Sequence, residues 1–371
     1  MRVIIVAAGT GGHITPGISI ANKIMKENPD AEILFIGTKG GMENDLLKKE
    51  GYTNIAHIRA DGIRREITLD NLKRAFNIIL GITDAKKIIK EFKPDIVIGT
   101  GGYVCYPVFK VATSMKIPTM LHESNSIPGK VVIAMAKKVD TIMVGFEAAA
   151  EKIKGAKNVV YTGTPTKMAS YIPPDNLKET LGLKDLPVVL ITGGSQGAKK
   201  LNDYLVDIIA NEAEKPYQMV FVTGPKNYDA VIAELARRHC GDDCLKNVLV
   251  LPYVYNMEEY MSVADLIIAR AGALSLTEIC LMGIPSILVP FPAAAENHQL
   301  YNAKMLEKAG AAIVIQEKEM NSYEKLRDIL NDTISNKDKL LEMKRAAKKM
   351  AVLNVDDRIY VEIKKLLRGK I

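Results

Sequence analysis

Two glycine-rich loops, far apart in the chain, each follow a short apolar run and precede a stretch with helical periodicity. The first loop is residues 8–13 (AGTGGH), after the run 3–6, and the second is residues 193–197 (GGSQG), after the run 188–191. Glycine lets the backbone turn tightly there and brings N–H groups close to an anion, which the following helix N-terminus also stabilises. The repetition predicts two nucleotide-binding half-molecules that face each other across a cleft.

Apolar, β-branched runs alternate with helical periodicity through both halves of the chain. Runs that are apolar on both faces and separated by helices are typical of parallel sheets covered on both sides. The sequence therefore predicts an α/β protein with two Rossmann-like domains. The predicted strands are residues 3–6, 33–36, 96–98, 119–121 and 141–144, then 188–191, 219–222, 248–250, 266–268, 286–289 and 312–315.

The chain length also favours two domains. At 371 residues it exceeds the ~250–300 residues at which a single core usually stops growing. A turn-rich stretch that includes Pro165, Pro173 and Pro174 marks the expected break. We expect a first domain over 1–162, a second over 163–340, and a helical segment over 341–371 that crosses back to the first domain.

Positive charge is concentrated in the first half. Residues 1–162 carry 23 Lys and Arg against 16 Asp and Glu, a difference of +7 that equals the net charge of the whole chain. A basic lobe attracts anionic lipid, nucleic acid or phosphorylated substrate.

No run approaches the ~18–20 apolar residues of a membrane-spanning helix, and the N-terminal apolar run is too short for a signal peptide.

The four cysteines indicate a reducing, cytoplasmic compartment without a disulfide framework. His239, Cys240 and Cys244 lie close together in the sequence, but three donors without a fourth make a poor metal site, and a solvated helix end explains them better. The sequence predicts no metal and no other cofactor.

Neither glycine loop matches a dinucleotide or P-loop motif. Ile14 stands where the third glycine of the dinucleotide fingerprint belongs, and no acid follows the predicted strand 33–36 to bind a ribose. The second loop does not continue into the Gly-Lys-Ser/Thr of a P-loop. These departures argue against a dehydrogenase and against a P-loop nucleotidase.

Several longer motifs occur in a fixed order. They are residues 9–17 (GTGGHITPG), 99–103 (GTGGY), 122–125 (HESN), 193–198 (GGSQGA), 270–278 (RAGALSLTE), 290–292 (PFP), 298–299 (HQ) and 302–303 (NA). Over essentially its whole length the chain resembles the MurG family of N-acetylglucosaminyltransferases. The resemblance implies the two-Rossmann GT-B fold, with UDP-N-acetylglucosamine on the second lobe and undecaprenyl-linked lipid I on the first. It also implies an inverting transfer that makes a β-1,4 bond and gives lipid II for peptidoglycan.

The same resemblance implies a place in the cell. The expected location is the cytoplasmic side of the cell membrane, where a peripheral protein meets an anionic lipid surface. Other cell-wall enzymes are further expected partners, and nucleic acid is not.

The resemblance assigns donor-binding roles by position. Glu278 is expected to accept both ribose hydroxyls, although an acid near a helix start also stabilises the helix by itself. Arg270 either adds positive charge for the donor or pairs with an acid. Lys167 stands where the family usually has arginine, so it keeps the charge and loses the planar fork. The implied donor-binding residues are Thr10, Gly11, Gly12, Asn125, Lys167, Ser195, Val254, Arg270, Ala273, Leu274, Glu278, His298 and Gln299.

Acceptor binding and catalysis are assigned to the first lobe. Attack by the acceptor 4-hydroxyl needs a general base, for which His13 is the first candidate and Glu123 the second. The alternative for His13 is that its ring only hydrogen-bonds acceptor phosphate or backbone. Ser124 departs from the more usual glutamine of the motif at 122–125. The implied acceptor-binding residues are Thr10, Gly11, Gly12 and Tyr103.

Residues 64–90 predict an amphipathic segment. Its apolar residues share one helical face, which either enters the headgroup region of a membrane or packs on the core. The apolar residues are Leu72, Phe76, Ile79 and Ile82, and the basic ones around them are Arg64, Arg65, Lys73, Arg74, Lys86 and Lys87.

Three other functions stay open at this point. A transferase that glycosylates diacylglycerol would share the fold, and so would a UDP-N-acetylglucosamine 2-epimerase, which needs no lipid-facing patch. A non-catalytic sugar-nucleotide binder would bind UDP without turnover.

Overall fold

The computed structural model describes residues 1–61, 69–195, 197–212 and 215–368. This part of the chain forms two compact units. Unit 1 comprises Met1–Lys167 and the C-terminal segment that begins at Val352, and unit 2 comprises Met168–Ala351. Each unit has its own parallel sheet and apolar core, which confirms the predicted α/β class with two Rossmann-like domains.

Unit 1 has a parallel sheet of seven strands within the described residues, and all five strands predicted for this half belong to it. The strands are β1 (Arg2–Val6), β2 (Glu32–Gly37), β3 (Ile55–His57), β4 (Ile96–Gly99), β5 (Thr119–Glu123), β6 (Thr141–Val144) and β7 (Val159–Tyr161). Their order is β3-β2-β1-β4-β5-β6-β7. The order reverses between β1 and β4, which are neighbours in the sheet.

Strand β1 explains why the first run is apolar throughout. Successive side chains of a strand point to opposite faces of the sheet. Val3 and Ile5 join one apolar cluster, whereas Ile4 and Val6 join another. Both faces are therefore buried. The helices of this part of the chain are α1 (Gly11–Glu27), α2 (Glu43–Lys49), α3 (Leu69–Phe92), α4 (Cys105–Ser114), α5 (Lys130–Met135) and α6 (Glu147–Ala150).

Unit 2 repeats this plan with six parallel strands in its described part, all of them predicted. The strands are β8 (Val188–Thr192), β9 (Gln218–Val222), β10 (Val248–Leu251), β11 (Leu266–Ala269), β12 (Ser286–Leu288) and β13 (Ala312–Val314). Their order is β10-β9-β8-β11-β12-β13, which reverses between β8 and β11. The helices are α7 (Leu177–Thr180), α8 (Lys199–Asn211), α9 (Tyr228–Arg237), α10 (Asp242–Leu245), α11 (Met257–Val263), α12 (Ala273–Met282), α13 (His298–Lys308), α14 (Tyr323–Ser335) and α15 (Lys337–Met350).

The unit boundaries differ from the predicted ones. The sequence placed them after 162 and after 340, whereas the structure places them after Lys167 and after Ala351. Helix α15 belongs to unit 2 because Met343 and Ala347 are buried where it packs against α12 and α14.

The final helix, α16 (Val355–Leu366), belongs to unit 1. Ile359 and Ile363 join the apolar cluster of that unit that also contains Ile18 of α1. An ion pair of 2.6 Å between Lys23 and Asp357 lies beside this contact. Residues 352–368 therefore complete the core of unit 1.

The sequence missed β3 and β7. Both have three residues, both are edge strands, and their side chains are half-buried or exposed. Short edge strands bury little apolar surface, so they leave a weak apolar pattern.

Within the described residues, no helix is both long enough and apolar enough to cross a bilayer.

Candidate active site

The first glycine loop and the loop at 100–102 lie side by side at the point where the sheet order of unit 1 reverses. They follow β1 and β4, which are paired from Val3 with Ile96 to Val6 with Gly99. In open parallel sheets, ligands bind outside the carboxyl ends of the strands at such a point. The N–H groups of Gly11 and Gly12 open α1 there and have no acceptor inside the helix. This is the geometry of an anion site.

His13 lies in the first turn of α1, half-buried, and its ring turns towards β4. The ring Nδ1 is 2.9 Å from the carbonyl oxygen of Thr100. A carbonyl only accepts, so Nδ1 carries the hydrogen and Nε2 carries the lone pair of the neutral ring. Nε2 is thus the nitrogen that can take a proton.

Glu43 is a buried carboxylate beside this loop that the sequence did not single out. Its Oε2 accepts from the Gly9 N–H at 3.3 Å, and its Oε1 accepts from the N–H and hydroxyl of Thr38 at 2.7 and 2.9 Å. A Cβ at Gly37 or Gly41 would approach Glu43 atoms to within 2.7 or 2.3 Å. Glycines shortly before an acid in the sequence, Gly37 and Gly41, were the available signal.

Tyr103 packs beside the same loop. Its ring lies 3.8 Å from where a Cβ on Gly9 would stand. Burial, followed by the negative charge of Glu43, raises the pKa of the phenol, so Tyr103 stays a neutral donor and acceptor. The predicted acceptor residues Thr10, Gly11, Gly12 and Tyr103 therefore lie together.

Glu123, the last residue of β5, holds the loop that follows it. Its Oε1 accepts from the backbone N–H and side-chain amide of Asn125 at 2.9 and 3.0 Å, and its Oε2 accepts from the Gly129 N–H at 2.6 Å. Burial raises the pKa of this carboxyl, and the three N–H donors oppose that shift. The contacts fix Asn125 at the carboxyl edge of the sheet.

His122 lies one residue before Glu123 and is completely buried. Its Nε2 is 3.0 Å from the Gly163 carbonyl oxygen, so Nε2 carries the hydrogen, and Ser124 Oγ is 3.2 Å from Nδ1. Burial lowers the pKa of His122 to about 4, so the ring is neutral near pH 7. Ser124, which departs from the family pattern, thus makes an internal contact with the His122 ring.

The second glycine loop follows β8, at the point where the sheet order of unit 2 reverses. Two of its glycines are required by packing, because a Cβ at Gly193 would lie 2.4 Å from Ala198 N and one at Gly197 would lie 2.3 Å from Thr223 O. Gly194, with φ +81°, meets nothing within 4 Å on its Cβ side. The loop is thus packed on one side and open at Gly194, next to the half-buried Ser195. Gln196 lies outside the described residues.

Helix α12 begins beside that loop, after β11. The N–H groups of Ala273 and Leu274 open this helix, with Gly272 as its N-cap. Glu278 lies in its second turn and is half-buried. An N-terminus and a carboxylate on one helix offer donors to a diphosphate and acceptors to a diol.

Gln299 has its amide oriented by the backbone. Its Oε1 accepts from the N–H groups of Ala271 and Phe291 at 3.2 and 2.9 Å. The side-chain NH₂ is therefore the end available as a donor. The neighbouring His298 directs Nδ1 to the Ala295 carbonyl oxygen at 2.6 Å, and burial lowers its pKa.

Arg270 forms a buried ion pair with Glu317. Its guanidinium also donates to the carbonyl oxygens of Val289 and Pro290 at 3.0 and 3.4 Å, and lies 5.5 Å from the ring centroid of Phe291. Of the two roles that the sequence left open for Arg270, pairing with an acid is the one present here.

Lys167 is paired with an acid, and Val254 is buried. Lys167 is the last residue of the first segment of unit 1, and its Nζ lies 2.5 Å from Glu50 Oε1. Val254 is buried in the loop after β10. Unit 1 therefore contains Lys167, His13, Glu123 and Asn125 as well as the acceptor residues, while unit 2 contains the other donor residues. The described residues contain no group of three or more His, Cys, Asp and Glu placed to hold a metal ion.

Comparison with known proteins identifies the family. The glycosyltransferase family 28 N-terminal domain matches residues 3–144, and the C-terminal domain of that family matches residues 188–359. A relative from Acetivibrio thermocellus is 39% identical over 376 residues, covering 100% of this chain and 99% of the relative. It is named as UDP-N-acetylglucosamine--N-acetylmuramyl-(pentapeptide) pyrophosphoryl-undecaprenol N-acetylglucosamine transferase. The chain belongs to the MurG family of glycosyltransferases.

Solved structures agree with this membership. The crystal structure of Acinetobacter baumannii MurG is similar with a TM-score of 0.75 and 31% identity, over 98% of this chain and 99% of that one. A putative UDP-N-acetylglucosamine 2-epimerase from Listeria monocytogenes has a TM-score of 0.69 at 16% identity, over 100% of this chain and 97% of that one. The second likeness extends to the fold alone, which MurG-family transferases and such epimerases share.

Proposed function

We propose that this chain transfers N-acetylglucosamine from UDP-N-acetylglucosamine to the 4-hydroxyl of the N-acetylmuramoyl unit of lipid I. The product is lipid II for peptidoglycan. The observation that carries this proposal is the 39% identity, over the whole chain, with an enzyme named for that reaction. The two glycine loops at the reversal points of the sheets support it, because the reaction joins two diphosphate-bearing substrates.

The direct test is an incubation of the purified chain with labelled UDP-N-acetylglucosamine and lipid I. We expect the label to enter the organic phase as the disaccharide lipid. Label on diacylglycerol would indicate a different lipid transferase, release of free epimer would indicate an epimerase, and tight UDP binding without turnover would indicate a non-catalytic binder. Each of these three results contradicts the proposal.

Unit 2 binds the donor in this proposal. The N–H groups of Ala273 and Leu274 and the loop around Ser195 hold the diphosphate, Glu278 accepts from the ribose, and the backbone at Val254 reads the uracil. Gln299 and His298 contact the sugar. The charge that develops on the leaving UDP falls on preorganised N–H donors and the helix dipole.

Glu278→Gln is expected to raise the KM for UDP-N-acetylglucosamine about 10–100-fold, because a charge-assisted hydrogen bond contributes ~1.5–3 kcal/mol. The value of kcat at saturating donor should change less than about twofold, since a ribose contact is made in both ground and transition state. Steady-state kinetics measures both constants. Glu307→Gln, which removes an exposed Glu–Lys pair on α13, is the control and should leave KM unchanged. An unchanged KM for Glu278→Gln would exclude the ribose contact.

Unit 1 binds the acceptor and supplies the base. The acceptor diphosphate lies against Gly11, Gly12, Thr10 and Tyr103. The 4-hydroxyl oxygen attacks the anomeric carbon from the side opposite UDP, its proton passes to His13 Nε2, and the bond from carbon to phosphate oxygen breaks with its electron pair on UDP. This displacement inverts the anomeric centre. Glu123 accepts from the backbone N–H and the side-chain amide of Asn125, and from the Gly129 N–H, and thereby orients the Asn125 amide for the sugar.

Peripheral binding to the cytoplasmic membrane face rests on helix α3. Phe76 and Ile79 are 59% and 61% exposed and lie three residues apart on one helical face, while Lys86 and Lys87 are exposed on the same helix. Ile82, expected on the same face, is instead partly buried against the core of unit 1. The predicted contributions of Arg64 and Arg65 lie outside the described residues, and those of Leu72 and Lys73 lie outside the described side chains.

The double variant Phe76→Ser/Ile79→Ser is expected to weaken partition onto vesicles that contain anionic lipid about tenfold. That loss equals ~1.4 kcal/mol, a modest part of the ~1.5–3 kcal/mol that each buried side chain supplies. Co-sedimentation measures the partition. Ile172→Ser removes an 86% exposed isoleucine from unit 2 and is the matched control. Equal binding of the double variant and the control would refute the membrane role of α3.

A further inference from the structure

We propose that the loop at residues 100–102 is a positioning device for His13, which holds its ring in the Nδ1–H tautomer and presents Nε2 to the acceptor hydroxyl. The proposal rests on the proposed role of His13 as the base. The motif at 99–103 resembles the first glycine loop, but its contacts assign it a different task.

Thr100 holds both the backbone carbonyl and the imidazole ring of His13. It is fully buried, and its N–H donates to the Val6 carbonyl oxygen at 3.1 Å. Its hydroxyl donates to the His13 backbone carbonyl at 2.6 Å, while its own carbonyl accepts from the ring at 2.9 Å. One residue therefore sets the position of the main chain of His13 and the direction of its imidazole.

Gly101 and Gly102 leave the space that the ring fills. A Cβ on Gly101 would lie 2.8 Å from Nδ1 and 2.9 Å from Cε1, and one on Gly102 would lie 3.1 Å from the Ala8 carbonyl oxygen and 3.4 Å from His13 Cδ2. Both residues also have positive φ, +101° and +81°. Any side chain at Gly101 pushes the imidazole away from the Thr100 carbonyl.

Two titratable groups beside this loop, Cys105 and His122, are neutral near pH 7. The Cys105 thiol, on α4, donates to the Gly101 carbonyl oxygen at 3.0 Å, and burial raises its pKa to about 12. His122, on β5, has its pKa lowered to about 4 by burial and, to a smaller extent, by the charge of His13. Both groups are neutral at pH 7, so they neither attract nor repel the imidazolium that forms when His13 takes the proton.

The test compares Gly101→Ala with Gly51→Ala. Gly51 also has positive φ, +84°, but a Cβ there meets nothing within 4 Å, so this control carries backbone strain without contact with the ring. The whole protein, labelled with ¹⁵N-histidine, gives ring nitrogen shifts for five histidines, and His13→Gln assigns the signal of His13. The same variants are assayed for kcat and for the KM of UDP-N-acetylglucosamine.

We expect the wild type and Gly51→Ala to carry the proton on Nδ1 of neutral His13. In Gly101→Ala we expect the proton to move substantially to Nε2, with kcat about 10²-fold lower and the donor KM within about twofold, since a small misplacement of a catalytic group has that cost. A proton on Nε2 in the wild type overturns the proposal. So does a Gly101→Ala protein that loses kcat while it keeps the wild-type tautomer.

A second pair of variants covers the case in which Gly101→Ala fails to fold. Thr100→Val removes the hydroxyl bond to the His13 carbonyl, and Thr100→Ser keeps it. Loss of kcat and of the Nδ1–H signal in the valine variant alone supports the positioning role, whereas equal behaviour of the two variants contradicts it. The test of His13 as the base is independent of this one. If His13 is not the base, His13→Gln keeps full turnover, whatever the tautomer of the wild type.

Discussion

His13→Gln is expected to lower kcat for lipid II formation by a factor of about 10²–10⁴, the usual contribution of a positioned general base. The Thr100 carbonyl, 2.9 Å from Nδ1, leaves Nε2 as the proton acceptor. Glutamine offers no group that accepts a proton near neutral pH, so the 4-hydroxyl must attack without assistance. Initial rates with both substrates saturating measure the loss. The donor KM should stay within about twofold, because the donor residues other than Asn125, Lys167 and the first glycine loop lie in unit 2.

The control is His57→Gln. His57 is exposed on the edge strand β3, and its Nε2 lies 2.6 Å from Asn44 Oδ1. We expect this variant to retain wild-type kcat.

Glu123→Gln separates the two candidate bases. It replaces an oxygen that accepts from Asn125 or Gly129 with an NH₂ group, so we expect a higher substrate KM and lower stability together with residual turnover. Full activity of His13→Gln, combined with loss of kcat alone in Glu123→Gln, would reverse the assignment.

The sheets were predictable because their strands are short apolar runs. Residues such as Val3, Ile4 and Ile5 are buried on both faces, so burial and sequence pattern agree without any knowledge of the partner strands. The glycine loops were predictable for a similar local reason, since each follows a strand and opens a helix. Their position beside the reversal points was not, because strand order depends on pairing between distant segments.

The contacts that hold the site are mostly long-range, and this explains what the sequence could not provide. Glu43 meets Gly9 across 34 residues, and His122 meets Gly163 across 41. The sequence offered the glycine and the acid separately, but no local pattern joins them. The same limit applies to Arg270, whose partner Glu317 is 47 residues away, so that its two possible roles were equally compatible with the sequence.

Arg270→Met is expected to lower the free energy of unfolding by about 3–5 kcal/mol, the usual cost of removing one partner of a buried ion pair. The side chains of Arg270 and Glu317 are only 9% and 10% exposed. Methionine leaves the Glu317 carboxylate buried, with Lys200 Nζ 4.0 Å from its Oε2, and removes the donor to the Val289 and Pro290 carbonyl oxygens. Denaturant unfolding of the intact chain measures the loss.

Two further variants test whether the ion pair, and not donor binding, is the task of Arg270. Adding Glu317→Gln to Arg270→Met removes the uncompensated charge, so it should restore part of the lost stability. Arg237→Met breaks an exposed pair with Glu234 in the same unit and should cost less than about 1 kcal/mol. Val289 and Pro290 directly precede Phe291, and the Phe291 N–H orients Gln299. Loss of the arginine can therefore raise the donor KM indirectly, by loosening this segment, and we expect that rise to be small. A stable Arg270→Met protein with a large rise in donor KM would instead make Arg270 a direct ligand of the diphosphate.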